Sequence, residues 1–427
     1  MTTSSQTQCQ VLLAEALQRY ETRNIKSLEY HNAALESLPG GNTRTLLHVS
    51  PFPIVMVRGE GSKLIDLDGH EYCDFVGELT AGLFGHSEPK IKASMSNVLA
   101  NIGLSLGATN IYEKQYSELL CARFNLESLR FSNSGTEANL HCIAAARKYT
   151  GKRKIVVFRG GYHGSLLSFS LGAAPNNLSE AFEKNAGDIA AVLVEGMQGS
   201  GGAIPANKDF LRAIREHSRA ANALLILDEV MTSRLYGGGI ASTFDHDLTP
   251  DMKTFGKYLG GGMPFGAFGG RREIMAVYDP RMQGSLAHSG TFQNNTLMLN
   301  AGYTGLSEVY THEVAEAFHK RGDALRARLL EVVQGTRFTV TGLGTLMCIH
   351  VTTNGLSRDQ IQCKDDWTMV EDGDLKRLFW LEMLEAGNWF HPRASMALNL
   401  ALTAADMDRF VGTVRDFCKR HQDMIRN

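Results

Sequence analysis

Three short segments carry residue types that together describe one chemistry. In ALLILDEVMTSR an acid, Asp228, directly follows an apolar run; in TFGKYLGGG a lysine, Lys257, precedes three glycines; in FSNSGTEAN the residues Ser134, Gly135 and Thr136 open a helical stretch. A primary amine can link covalently to an aldehyde, and a buried carboxylate can hold the proton of a pyridine ring. The start of a helix offers N–H groups and a positive dipole end to a phosphate. These needs coincide in pyridoxal 5'-phosphate, which makes the chain an enzyme candidate.

Each segment also has a plainer explanation. Ser134 and Thr136 could form an ordinary helix cap, and Asp228 could cap the next element or hold a metal beside a phosphate loop, although no GxxxxGK[ST] accompanies it. Glu229 is the poorer partner for a ring nitrogen, because one residue along a strand turns the side chain to the other face. Of the two lysines in DMKTFGKYLGGG, Lys253 reads as a solvated surface residue. The glycines after Lys257 permit close approach to a flat cofactor, and desolvation lowers a lysine's basicity. GGYHG places Tyr162 to stack on a ring and His163 to orient its neighbours, while VEGMQGSGG puts Glu195 and Gln198 at another strand end. HSGTFQNN offers Thr291 as a second phosphate contact, and an ordinary polar loop explains it equally well.

The elements that must position these residues follow from periodicity. Gln10 to about Leu38 has helical spacing that PGGNTR breaks, with Arg44 in the loop beyond; Ile54–Val76 alternates around DLDGH as a hairpin or meander does. From Pro89 to Glu308 helical stretches alternate with apolar runs such as AAVLVE and ALLIL, which suit strands buried on both faces. The expected fold is α/β: a mostly parallel sheet covered by helices, with the chemistry at the strand ends where open sheets place ligands. The expected division is an N-terminal segment and part of a small domain over 1–88, a large cofactor-binding domain over 89–308, and a C-terminal small-domain portion over 309–427.

Composition narrows the partners. Across 427 residues, 43 basic and 45 acidic side chains, with no block of like charge, give no electrostatic case for nucleic acid or a membrane surface, so the substrate should be small. Seven scattered cysteines, none spaced CxxC, suggest neither disulfides nor zinc and fit a reducing compartment. The opening MTTSSQTQCQ lacks the basic region of a signal peptide and no long apolar run follows, so the expectation is a soluble, cytoplasmic protein without a metal.

Taken together, FSNSGTEAN, DEVMTSR, TFGKYLGGGMPFGAFGG and HSGTFQNN resemble the class III, fold-type I pyridoxal-phosphate aminotransferases, most nearly the β-amino acid (β-phenylalanine) type, over nearly the whole chain. The resemblance implies a seven-stranded-type sheet in the large domain and a homodimer with shared active sites. It implies Lys257 as the Schiff-base lysine, Asp228 on the pyridine nitrogen, Tyr162 stacked on the ring, Val230 against its other face, Ser134, Gly135 and Thr136 on the phosphate, and Thr291 reaching across from the other subunit. Glu195 joins the expected cofactor-binding set. Arg44 in GGNTR matches a residue that binds a β-amino acid carboxylate, and Arg393 in HPRAS a second, mobile arginine for α-amino and α-keto acids. The implied activity is ping-pong transfer of an amino group from a β-amino acid or related amine to pyruvate or 2-oxoglutarate. A glutamate-1-semialdehyde-type aminomutase or an amine transaminase without a carboxylate requirement is the alternative. Three departures stand out: a passage after Gly164 about a dozen residues short, Gly196 where proline is common, and Leu79 where tyrosine is expected.

Overall fold

The computed structural model describes residues 3–167, 178–185 and 187–426, and the chain divides into two compact units. One comprises residues 1–79, 83–87 and 321–427; the other comprises 80–82 and 88–320.

The second unit is built on a sheet of six described strands: β1 (Ser128–Ser132), β2 (Lys154–Val156), β3 (Ile189–Glu195), β4 (Leu224–Asp228), β5 (Met252–Gly256) and β6 (Gly266–Gly270). They lie in the order β1-β6-β5-β4-β3-β2. The pairs β2/β3, β3/β4 and β4/β5 are parallel, and β6 runs antiparallel to both its neighbours. Every residue of β3, β4 and β5 is buried, which is why their sequences read as unbroken apolar runs rather than alternating ones. Where a seven-stranded type is expected, six strands are described; the shortened passage after Gly164 falls largely on residues 168–177, which lie outside the described residues.

Two features depart from expectation. Strand β6, GAFGG, has almost no side chains to announce it; it is glycine because a Cβ at Gly266 would lie 2.1 Å from the Ser134 carbonyl oxygen and one at Gly270 2.2 Å from that of Asp251. Lys253 is not a surface lysine. It sits in β5 buried on both faces, its Nζ donates to the Phe124 carbonyl at 2.7 Å, and burial lowers its pKa against the opposing pull of Glu229.

Helix α1 (Gly135–Thr150) follows β1 directly. Its apolar face, Ala138, Cys142, Ala145 and Ala146, packs in a core with Ala191, Leu193, Leu224 and Ile226 of the central strands and Phe268 of β6. The small residues let the helix lie close on the sheet, so its first turn is held rigidly at the strands' carboxyl ends.

In the first unit the leading helical stretch is two helices, Thr3–Arg23 and Ile25–Ala34, broken at Asn24. The expected meander is present as Met56–Glu60, Lys63–Asp66 and Glu71–Asp74, paired antiparallel, with Asn388–Trp389 added parallel to the last. A second sheet pairs Phe338–Leu343, Leu346–Val351 and Ser395–Ala397. No helix among the described residues is long and apolar enough to cross a membrane.

Candidate active site

Asp228 is the last residue of β4 and is 5% exposed. Its Oδ2 accepts from His163 Nδ1 at 2.8 Å and from Asn139 Nδ2 at 2.8 Å, while Oδ1 accepts from the Val230 backbone N–H at 3.0 Å. Three donors thus converge on this one buried carboxylate. Its neighbour His163 is buried as well; burial works against the imidazolium, but the hydrogen bond to Asp228 and that residue's charge prevail, and the His163 pKa is raised.

Glu195 ends β3 and is the register partner of Asp228. Its oxygens accept from the backbone N–H groups of Tyr162 at 2.7 Å and Gly199 at 2.9 Å. Burial and the charge of Asp228 push its pKa up to about 7. Tyr162 lies six residues beyond the end of β2 rather than at a strand end, and its side chain is 55% exposed. The hydrogen bond to Glu195 fixes its backbone.

The helix start lies beside this pair. Ser134 caps α1, its Oγ accepting from the Glu137 N–H at 3.2 Å, and no hydrogen bond among the described residues engages the N–H groups of Gly135 and Thr136. A Cβ at Gly135 would lie 2.6 Å from Val230 Cγ2, one at Gly164 2.3 Å from Thr136 Oγ1, and one at Gly256 3.3 Å from the Gly135 nitrogen. The three glycines therefore bring the helix start, the GGYHG loop, Val230 and the end of β5 within contact of one another. Lys257 follows Gly256 with φ 58°, a left-handed conformation that lysine adopts at a cost of about 1 kcal/mol or more. Strained backbone of this kind clusters where a side chain must be aimed.

These residues fit pyridoxal phosphate. Uncommitted N–H groups and hydroxyls at a helix start suit its phosphate, a buried anion with restrained geometry suits its protonated ring nitrogen, and an amine follows the next strand over from that anion.

The remaining expected residues are placed differently. Thr291 is exposed in the loop before the helix Thr296–Thr304, with no hydrogen bond to the groups above. Arg44 and Arg393 belong to the first unit and are both exposed. Arg44 pairs with Glu78, which stands in a run of left-handed residues, Gly77, Glu78, Leu79 and Thr80, with φ from 48° to 83°. The Arg393 N–H donates to His391 Nδ1 at 3.1 Å, and burial followed by the charge of Arg393, with a smaller push from Arg44, lowers the His391 pKa to about 4. Three cationic groups, Arg393, Lys376 and Arg44, thus act on one histidine in that unit. Asn139 is the residue that motif reading passed over. It stands four residues after Gly135 in FSNSGTEAN, one helical turn along the same face, and that spacing was the available signal.

The comparisons with known proteins agree with the geometry. The chain is 47% identical over 96% of its length, and 95% of the relative's, to an uncharacterized aminotransferase of Schizosaccharomyces pombe. It is 43% identical over 97% of each to a beta-phenylalanine transaminase of Variovorax paradoxus. Among solved structures, the beta-phenylalanine aminotransferase of Variovorax paradoxus superposes with a TM-score of 0.92 at 41% identity, covering 98% of this chain and 99% of the other. An omega-transaminase from Sphaerobacter thermophilus gives 0.84 at 30% identity, covering 93% and 98%. The sequence model of the aminotransferase class-III family matches residues 47–177 and 171–372. With a site of this composition and relatives of this extent, the chain belongs to the pyridoxal-phosphate-dependent class-III aminotransferases.

Proposed function

We propose that the enzyme moves an amino group from a β-amino acid, of the β-phenylalanine kind, to an α-keto acid such as pyruvate or 2-oxoglutarate. The observation that carries the reading is the buried, triply hydrogen-bonded Asp228 in register beside a strand that leads directly into Lys257. When bound, pyridoxal phosphate supplies the aldehyde that takes up the amino group and the ring that accepts electrons from the neighbouring carbon.

The protein's residues do the rest. Lys257 Nζ would hold the cofactor through its aldehyde and would serve as the base that takes the proton from the carbon bearing the amino group. General acid–base help of this kind contributes ~10²–10⁴-fold. Asp228 keeps a proton on the ring nitrogen. Gly135 and Thr136 N–H groups with the Ser134 and Thr136 hydroxyls would hold the phosphate, Val230 would pack one ring face and Tyr162 the other, and Glu195 fixes the Tyr162 backbone. Thr291 of a second subunit completes the phosphate site in a homodimer. Donor and acceptor use one site in turn, hence a ping-pong order.

Arg44 binds the β-amino acid carboxylate, and Arg393 takes the carboxylate of an α-keto acid, because a guanidinium pairs with a carboxylate in two parallel hydrogen bonds. The relative named as a beta-phenylalanine transaminase supports the donor class. A glutamate-1-semialdehyde 2,1-aminomutase of Caldicellulosiruptor bescii is 30% identical over 92% of the chain, which keeps an intramolecular transfer as the second reading.

A panel of β-amino acids, α-amino acids and simple amines, each with and without pyruvate or 2-oxoglutarate, tests both. Turnover of β-amino acids that requires a keto acid is expected. Turnover of an amino-aldehyde acid without any acceptor would overturn transamination in favour of the mutase.

A further inference from the structure

The three segments that define the site converge on one amide group. Asn139 Nδ2 donates to Asp228 Oδ2 at 2.8 Å and to the His163 carbonyl at 3.1 Å, while its Oδ1 accepts from the Thr254 hydroxyl at 2.8 Å. Asn139 and Thr254 are both fully buried. The orientation of the amide is fixed by chemistry: a carboxylate and a carbonyl only accept, so both must face the NH2, and the Thr254 hydroxyl must then donate to the oxygen.

The geometry also explains why asparagine stands there. Gly135 and Asn139 are four residues apart on α1, so they share a face one turn, ~5.4 Å, apart. Gly135 abuts Val230, and Asn139 reaches Asp228, two residues before Val230. Thr254 is the register partner of Asp228 on β5, two residues before Gly256 and three before Lys257. One amide thereby ties the phosphate-facing helix, the GGYHG loop, the acid's strand and the lysine's strand.

We infer that Asn139 is a positioning residue for the cofactor: with His163 it occupies Oδ2 of Asp228 and so turns Oδ1 toward the ring nitrogen. Thr254 is its support, because without that hydroxyl the amide loses the partner that anchors its oxygen. The inference rests on Asp228 being the ring-nitrogen partner. Neither Asn139 nor Thr254 touches the reacting atoms in this account. Both act through Asp228. The side-chain donors fall on Asp228, whereas its register partner Glu195 accepts, among the described residues, from backbone N–H groups alone; this agrees with Glu195 being the carboxyl whose affinity for a proton is raised.

The test uses purified full-length enzyme stripped of cofactor and titrated with pyridoxal phosphate, with three readouts: the dissociation constant, the pH dependence of the visible absorption band, and the melting temperature of the apoenzyme. The titratable groups that interact with Asp228 are His163, Glu195, Glu229 and Cys142, and all of them, with Asp228 and Lys257, are retained in the two test variants. Thr254→Val keeps the shape and removes only the hydroxyl. It should weaken cofactor binding several-fold and move the pH midpoint of the band. Asn139→Ala should weaken binding ~10-fold or more, the scale of one lost hydrogen bond to a charged group.

Asp228→Asn serves as the control. If it weakens binding and shifts the spectrum while Thr254→Val and Asn139→Ala lower only the melting temperature, Asn139 is merely structural and the inference is overturned. If Asp228→Asn itself changes neither, the assignment of Asp228 fails instead. Should Asn139→Ala not fold, Thr254→Val decides by the same two readouts.

Discussion

Glu195 and Asp228 face each other in register at the ends of two parallel strands, yet the hydrogen-bond donors around them are unequally shared. Asp228 takes two side-chain donors and one backbone N–H, Glu195 two backbone N–H groups. Burial and the charge of Asp228 raise the proton affinity of Glu195.

The inequality makes stability depend on pH. The folded pKa of Glu195 is raised from 4.5 to about 7 by burial and by Asp228, so the folded state binds the extra proton between those values. Stability from this group is therefore full below about 4.5, falls as pH rises, and levels off above about 7. Thermal melts of wild type and Glu195→Gln from pH 5 to pH 8 should show a decline in the wild type, on the order of 1–3 kcal/mol, that the variant lacks. Parallel profiles would remove Glu195 as the source.

Reduction with borohydride of the enzyme loaded with pyridoxal phosphate should attach the label to Lys257, readable by peptide mapping. Lys257→Ala should retain bound cofactor without the covalent link and lose turnover by at least ~10²-fold. A label on Lys253 would contradict the buried contact of that side chain with the Phe124 carbonyl.

The Arg44–Glu78 pair is about half exposed on both sides, so its loss should change the melting temperature very little. Its effect on substrates should be selective: Arg44→Ala reduces kcat/KM for a β-amino acid by ~10–100-fold, the scale of lost charged hydrogen bonds, and leaves carboxylate-free amines nearly unaffected. Equal losses on both classes would reject a carboxylate-binding role.

Gly135 is pressed on Val230, with 2.6 Å between a hypothetical Cβ and Cγ2. Alanine is otherwise the better helix former, so any penalty reports the clash. Gly135→Ala should destabilise by about 1–3 kcal/mol and weaken cofactor binding, and adding Val230→Ala should recover part of both. Additive effects in a double-mutant cycle would show that the two residues do not meet.

The buried strands, the acid that ends one and the lysine that follows another were legible because strands covered on both faces leave unbroken apolar runs, as in Ile189–Glu195 and Leu224–Asp228. The spacing from Ser134 to Thr136 announced a helix start for the same local reason. What escaped depends on partners remote in sequence. Lysine is rarely fully buried, so Lys253 reads as exposed until Phe124 supplies a carbonyl 129 residues away. Asn139 looks like any polar helix residue until Asp228, 89 residues on, supplies its acceptor. Strand β6 has too few side chains for any periodicity. Its reason lies in the backbone of its neighbours.

That glycine strand has a consequence for how the enzyme tolerates change. Gly266, Gly269 and Gly270 each stand where a methyl group would run into main-chain atoms of an adjoining segment, at 2.1 to 2.5 Å. No rotamer can relieve such a collision, so the strand would have to peel away and take with it the seam between Ser134 and the ribbon that leads into Lys257. Inactivating changes in this protein should therefore gather along this buried stretch, where even a methyl group finds no room.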